Sequence, residues 1–345
     1  MKENKLLETV DWRDFRLKIS DKFSSPPVVM KIGGTIVATL GNFSASTGKA
    51  KSKKTFNVTA IVVSALINNK ILEYVATFPL DKRKVLYVDT EQSPYHCQKV
   101  LSRIHKMAGF DESTHSDLLE FLPLRKCSPK QRISLIESAI YDINELGLVV
   151  IDGILDLAYD INSPSEATDL ISKLMKWTDE RQIHIHTVLH LNKGDDNSRG
   201  HLGTELNNKA ETVLQITKDE IDKDISYVSA SYIRDIDFDT FAFKINEVGF
   251  PELVENYKPS SSKNLKGFDY FEVSEEKHKE ALDYLFSEAE MVSYGSLIDK
   301  LKASYAQVGY SFGDNKAKQL KVFLENKRML IKDDKFYRFN SQFHY

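Results

Sequence analysis

The chain reads as an α/β protein: a mainly parallel, doubly wound sheet flanked by helices, followed by a small winged-helix-like α+β domain. Three observations carry that expectation. Apolar, β-branched runs alternate with helical patterns from residue 29 to about 255. The octapeptide Gly48-Lys49-Ala50-Lys51-Ser52-Lys53-Lys54-Thr55 lies between an apolar run and a helical pattern, the layout of a phosphate-binding loop. Beyond a serine-rich stretch, three helical patterns precede a β-hairpin pattern.

Composition sets the frame. The 345 residues suffice for one large core and a smaller second domain. Hydrophobic residues make up 41% and charged residues 28%, ordinary values for a globular chain. The formal net charge of -3 provides no global field toward nucleic acid, so any such contact must come from local basic patches. Cys97 and Cys127 lack metal-ligand spacing and read as small hydrophobes in a reducing cytosol. No apolar run is long enough to span a membrane, and the polar, charged N-terminus through Lys22 is unlike a secretory signal. A cytoplasmic protein is expected.

Residues 1–28 form an N-terminal segment without a clear period, expected to pack peripherally on the core. Val28–Ile32 reads as a short edge strand, and Thr35–Leu40 as the strand that feeds the octapeptide. The core domain is assigned to residues 29–257. A helix over Phe56–Ile67 follows the octapeptide. Lys84–Glu91 is a strand ending in carboxylates, which points its tip at a ligand crevice in an open sheet. A helix spans Pro94 to about Met107, and Leu118–Leu124 is the next strand. Ser128-Pro129-x-Gln131 is a capping box opening a helix to about Leu146. Leu148–Ile151 followed by Asp152 is a buried parallel strand with an acid at its tip. Ser163-Pro164-x-Glu166 caps a helix to about Arg181, His184–His190 is a strand, and Asn192–Gly203 is a polar loop. Val213–Ile216, Tyr227–Tyr232 and Phe241–Ile245 are further strands, the last two antiparallel.

Residues 258–269, with Pro259-Ser260-Ser261-Ser262-Lys263, form a linker by composition. Residues 270–345 then carry helices over Ser274–Phe286, Ser296–Tyr305 and Asp314 to about Arg328, with Asp314 as N-cap, and a hairpin over Met329–Phe339 turning at Asp333-Asp334. The third helix bears Lys316, Lys318, Lys321, Lys327 and Arg328, a composition suited to a DNA groove. A packing or oligomerisation domain with a solvated charged face is the alternative.

The chemistry gathers around the octapeptide. Gly48 suits the opening turn, and the cradle runs through Lys49, Ala50, Lys51, Ser52 and Lys53 to Lys54, Thr55 and Phe56. Lys54 would reach the terminal phosphates and Thr55 would hold Mg²⁺. The pattern G-x-x-x-x-G-K-S/T has glycine where this chain has Lys53; if that backbone must be glycine-like, a side chain costs ~1–3 kcal/mol. A plain basic loop before a helix is the alternative. Asp152 would hold the metal through water, or merely cap a loop. Glu91 would polarise the attacking water, with Asp89 on the other face as the lesser candidate. His190, at a strand end, would sense the γ-phosphate; a core histidine is the alternative. The loop after it carries Lys193, Arg199 and His201, placed to touch nucleic acid. Arg234 either inserts into a neighbour's nucleotide site or pairs with Asp235 or Asp237.

Taken in order, Gly48–Thr55, Tyr87–Glu91, Leu148–Asp152 and His190–Lys193 through Arg199–Glu205 resemble the RecA-like ATPases, and within them the replicative helicases of the DnaB and plasmid RepA type. The resemblance covers residues 29–255. The lysine-rich octapeptide is also similar to P-loops of ATPases carried by mobile elements of Bacteroides-type bacteria, which removes Lys53 as an objection. The resemblance implies a Mg²⁺- and ATP-dependent ring ATPase, often hexameric, that moves along single-stranded DNA in replication or mobilisation of a plasmid or mobile element, with replication or mobilisation proteins as partners. It implies Glu91 as catalytic carboxylate, Asp152 as the metal-side acid and Arg234 as a finger acting in trans. One departure concerns the finger: the family has a lysine two residues before it, and this chain has Tyr232. A non-motor regulator switched by ATP, such as a replication-initiation factor, is the rival expectation. A small-molecule kinase is weaker, because no acceptor-activating base stands out.

Overall fold

The computed structural model describes residues 11–191, 200–219, 221–255, 257, 270–271, 273–287 and 289–342. The chain divides into two compact units between residues 260 and 261.

The first unit begins with a short 3₁₀ turn, Trp12–Phe15. Residues 11–27 do not pack on the core as expected. Every one of them is exposed, Trp12, Phe15, Leu17, Ile19 and Phe23 included. Strands β1 (Val28–Ile32) and β2 (Thr35–Thr39) form a hairpin across Gly33-Gly34, both at positive φ. With β4 (Lys70–Ile71) and β5 (Tyr74–Ala76) they build a separate antiparallel sheet in the order β2-β1-β5-β4. This corrects two expectations. Val28–Ile32 is an inner strand, and the run from Thr35 does not feed the octapeptide. That task falls to β3 (Phe43–Gly48), after a turn at Gly41.

The main sheet has nine strands in the order β13-β12-β11-β10-β3-β9-β8-β6-β7. Its members are β6 (Lys84–Asp89), β7 (Leu119–Pro123), β8 (Leu146–Asp152), β9 (His184–His190), β10 (Thr212–Lys218), β11 (Ile225–Ile233), β12 (Phe241–Ile245) and β13 (Pro251–Val254), besides β3. From β10 to β7 all neighbours are parallel; β10 to β13 is an antiparallel meander. The mainly parallel twisted sheet with flanking helices is thus as expected. Connecting helices are α1 (Lys54–Ile67), α2 (Pro94–Ala108), α3 (Pro129–Asp142), α4 (Pro164–Arg181) and α5 (Gly200–Lys209). The capping box at Ser128 and Gln131 is present, but α3 stops at Asp142 because Leu146 already belongs to β8. Gly200–Gly203, expected as loop, opens α5.

Successive strand residues alternate between two cores, as a sheet covered on both faces requires. Leu148 and Val150 join the core beneath α1 and α2, with Val58, Val62 and Tyr87; Val149 and Ile151 join the core on the opposite face, with Ile136, Leu174 and Trp177. Parallel strands whose tips end in Gly48, Asp89, Asp152 and His190 therefore finish on one edge of the sheet.

The strand β3 is short of large apolar residues for a reason visible in its neighbour. Ser44 Oγ lies 2.7 Å from His184 Nε2 and 2.8 Å from His186 Nδ1, and Ser46 Oγ lies 2.8 Å from His186 Nε2. Each buried polar group has a partner across the ladder. Desolvation, with help from His184, pushes the His186 imidazole down to about 3. Its folded value lies below its unfolded value, so stability present above pH 6.5 is lost as pH falls toward 3, by about 1.4 kcal/mol per unit. The denaturant-unfolding stability of a His186→Gln variant should be less pH-dependent than wild type by about 2 kcal/mol between pH 7 and pH 5. Identical pH profiles would show that His186 is not buried neutral.

The second unit contains α6 (Glu275–Phe286), β14 (Val292–Ser293), α7 (Tyr294–Gln307), α8 (Asp314–Asn326), β15 (Leu330–Asp333) and β16 (Phe336–Phe339). Its antiparallel sheet has the order β14-β16-β15. Leu282, Leu297, Leu301, Leu320, Leu324 and Met329 form its core. Gly313, rather than Asp314, is the N-cap of α8. The hairpin turns at Asp334, which takes a positive φ. No described helix is long and apolar enough to cross a membrane. Cys97 is buried and Cys127 partly so, and both are free thiols.

Candidate active site

The octapeptide connects the tip of β3 to the N-terminus of α1. A glycine is needed at 48 because a Cβ there would stand 2.4 Å from the Ile216 carbonyl oxygen and 2.6 Å from Ser52 Oγ. Lys53 adopts φ 66°, ψ 29°, the left-handed conformation that favours glycine, and serves as N-cap of α1. A lysine therefore holds the backbone a glycine would hold. Its Nζ donates to the Asp224 carbonyl at 2.5 Å. The strain of about 1 kcal/mol falls where functional loops commonly store it.

Lys54 is buried, and its ammonium donates to the carbonyls of Gly48 (2.8 Å) and Lys49 (2.9 Å). Burial lowers its pKa to about 8, against the pull of Asp152 and Glu91. Thr55 Oγ1 donates to Asp152 Oδ2 at 3.3 Å. Tyr87, on β6, donates to the same oxygen at 2.9 Å. Desolvation, then Asp89, then Glu91 push the Asp152 carboxyl up to about 6, while the Tyr87 and Thr55 hydroxyls favour its anion.

Asp89 does not face away, as strand alternation suggested. The strand ends at Asp89, and its carboxylate accepts from Glu91 N (3.0 Å), Gln92 N (2.7 Å) and Gln92 Nε2 (2.7 Å), fixing the turn that presents Glu91. Glu91 Oε1 lies 3.5 Å from His190 Nε2. That contact, with Lys54 nearby, holds Glu91 below the usual carboxylate range against a partial desolvation, its side chain remaining 46% exposed.

These groups line one cavity of about 320 Å³, with Lys51, Ser52, Lys53, Lys54, Thr55 and Phe56 on one side and Asp89, Glu91, Asp152 and His190 on the other. Along α2 the wall continues through His96, Lys99 and Arg103, which the sequence did not single out. Arg103 lies 3.9 Å over the Phe56 ring. The spacing 96, 99, 103 puts these side chains on one helix face, a signal present in the sequence but shared by any amphipathic helix. Tyr87 was also missed; a tyrosine inside a buried strand needs a hydroxyl partner, and that was the available clue.

The cavity suits a polyphosphate. The start of α1 opens on it, and four further cations, Lys51, Lys53, Lys99 and Arg103, line it together with Lys54. Ser52 Oγ is buried inside the loop without a partner and can donate to a phosphate oxygen. Among the described residues no group of three or more His, Cys, Asp or Glu could hold a metal alone. One hydroxyl and one carboxylate, Thr55 and Asp152, do suit Mg²⁺, which keeps water and phosphate oxygens as its remaining ligands.

Other expected residues lie elsewhere. Lys49 and Ala50 are exposed and do not line the cavity. His201 is exposed on the first turn of α5. Lys193 and Arg199 lie outside the described residues. Arg234 follows the end of β11 that pairs with Thr212, the opposite end of the parallel strands from the cavity. It donates to the Lys209 carbonyl at 3.1 Å, and Asp235 instead accepts from Ile36 N. The pairing with Asp235 weighed from sequence is not made.

Gly153 follows Asp152 with φ 107°, and a Cβ there would stand 2.1 Å from Thr90 Oγ1 and 3.1 Å from Glu91 Cγ. Gly153→Ala should therefore strain the backbone by ~1–3 kcal/mol and displace Glu91. A misplacement of about 1 Å lowers turnover by about 10²-fold. Steady-state hydrolysis by this variant checks it; unchanged turnover would mean that Glu91 is not held through this contact.

Among known families, residues 12–196 match the model described as an AAA domain. No curated protein matches the chain. Among solved structures it is similar to a KaiC-like protein of the hyperthermophilic archaeon Pyrococcus horikoshii OT3, at 14% identity over 63% of this chain and 90% of that one, with a TM-score of 0.46.

Proposed function

This chain belongs to the AAA domain family, and on that premise we propose that it is a P-loop ATPase that couples Mg²⁺-dependent ATP hydrolysis to DNA, as a helicase or translocase of a plasmid or mobile element. The observation that carries the ATPase reading is the convergence of Lys54, Thr55, Glu91, Asp152 and His190 on one cavity. Lys54 and the loop N–H groups bind phosphate. Glu91, kept ionised by His190 and Lys54, orients the attacking water and accepts its proton. Thr55 and Asp152 would hold Mg²⁺, which when bound would supply charge neutralisation for the transferring phosphoryl group.

Two things support DNA coupling. His190 touches Glu91 and directly precedes the stretch carrying Lys193, Arg199 and His201, so a change at the phosphate has a short covalent route to those cations. The motif order of the core is also that of DNA-dependent motors. Self-association into a ring, with Arg234 acting on a neighbour, belongs to the same proposal. Arg234 is solvent-exposed and distant from its own cavity, so only a second copy could use it there.

ATPase rate with and without single-stranded DNA, with a mass measurement in the presence of nucleotide, tests this. Stimulated hydrolysis by an oligomer is expected. A strand-displacement assay separates the motor from an ATP-switched regulator, which binds DNA with a non-hydrolysable analogue and displaces nothing.

A further inference from the structure

Lys53 stands where the phosphate-loop pattern has glycine, and its backbone keeps the left-handed conformation, φ 66° and ψ 29°, that glycine takes at less cost. A glycine at this position could reach nothing beyond the loop. The lysine side chain instead crosses from the start of α1 to the turn between β10 and β11, where Nζ donates to the Asp224 carbonyl at 2.5 Å. The charges of that turn face the ammonium. Desolvation lowers its pKa; Asp224 opposes that lowering, Lys218 adds to it, and Asp222 opposes it.

Both ends of this bridge are fixed. On the loop side, Phe56 N and Asn57 N donate to the Lys53 carbonyl at 3.0 and 3.2 Å, which ties its backbone to the first turn of α1. On the far side, Asp219 is buried, and its Oδ1 accepts from Ile221 N at 2.8 Å and Asp222 N at 2.9 Å. Its Oδ2 accepts from the Tyr257 hydroxyl at 2.6 Å. Ile225 N donates to the Asp222 carbonyl at 3.1 Å, and Asp224 N to Asp222 Oδ1 at 2.8 Å. These residues are therefore held as one piece, and a push at Asp224 is felt at Asp219. Tyr257 lies shortly before the boundary between the two units. From this geometry we infer that Lys53 is a positioning residue, a strut between the phosphate loop and the β10–β11 turn, so that ordering of the loop by a bound polyphosphate is passed to the turn that anchors Tyr257. This role rests on the ATPase reading proposed above and adds to it a route out of the cavity that a glycine could not supply. It also explains why the strained backbone carries a lysine: a charge-assisted hydrogen bond, about twice as strong as a neutral one, offsets the strain.

The test is hydrogen exchange of the full chain, read over residues 48–55 and 221–225, with and without a non-hydrolysable ATP analogue and Mg²⁺. Lys53→Met removes the ammonium and keeps an unbranched stem; Lys53→Arg restores a charged donor. Without nucleotide, exchange over 221–225 should be about tenfold faster in Lys53→Met than in wild type or Lys53→Arg, the effect of one hydrogen bond from a charged group. At saturating analogue, 48–55 should be protected in all three proteins, and 221–225 should slow further in wild type and Lys53→Arg alone. Tyr257→Phe frees the other anchor of the turn. It should speed exchange over 221–225 without nucleotide and keep the response to nucleotide, which separates the strut from general loosening. Turn exchange indifferent to Lys53→Met, no rescue by Lys53→Arg, or a nucleotide response lost equally in Tyr257→Phe would each overturn the strut. Protection of 48–55 with no response over 221–225 in wild type would overturn it alone, whereas no protection of 48–55 would overturn the ATPase reading and the strut with it.

Discussion

Replacing Lys54 with alanine should abolish measurable ATP hydrolysis and weaken nucleotide binding. The reason is positional. The ammonium is buried at the centre of the loop, held by the carbonyls of Gly48 and Lys49, and burial has lowered its pKa to about 8. A cation so placed is poorly hydrated and gains strongly from an anion. Loss of a single preorganised donor to a developing charge costs about 10²–10³ in rate, and a full charge at the phosphates costs more. No other cation replaces it from the same position, because Lys53 donates to the Asp224 carbonyl and Lys51 is exposed. The variant should stay folded: among the described residues Lys54 makes no salt bridge, and the carbonyls it leaves still accept from Leu191 N and Ser52 N. Steady-state hydrolysis and circular dichroism together check the outcome. Turnover near the wild-type rate in a folded Lys54→Ala protein would remove the phosphate-binding assignment.

Replacing Glu91 with glutamine should separate binding from chemistry. The amide keeps the shape and can still meet His190, but it cannot accept a proton. General-base loss is worth about 10²–10⁴ in rate. Affinity for nucleotide should change little, because Glu91 lines the cavity from the end of β6 and is not part of the loop that would cradle phosphate. The wild-type rate should hold its plateau down to mildly acidic pH, since His190 and Lys54 keep Glu91 ionised below the usual carboxylate range. Equal loss of binding and turnover in Glu91→Gln would mark the residue as structural.

Much of this site was legible in the residues. Lys54, Thr55, Glu91 and Asp152 announce themselves because a strand tip, a carboxylate and a helix start recur in fixed order. What could not be read follows from tertiary pairing. The strand β3 was overlooked because Ser44, Ser46 and Thr47 look like loop residues until His184 and His186 are beside them. The more apolar Thr35–Thr39 drew the assignment and belongs to another sheet. Lys53 looked like an objection because sequence does not show that a lysine has accepted the left-handed conformation. Asp89 was placed on the wrong face because alternation stops where the strand stops, two residues before Glu91. Gly200–Gly203 read as loop for its glycines, although Leu202 and Leu206 bury one face of a helix. The C-terminal helices were legible from their periodicity.

The most direct measurement is equilibrium titration of the full chain with a fluorescent, non-hydrolysable ATP analogue, with and without Mg²⁺, beside Lys54→Ala and Asp152→Asn. Saturable binding that Mg²⁺ tightens is expected, with affinity lost in Lys54→Ala and the Mg²⁺ effect lost in Asp152→Asn. No binding by the wild-type chain, or binding indifferent to Mg²⁺ and to both substitutions, would contradict a polyphosphate site at the junction of β3 and α1.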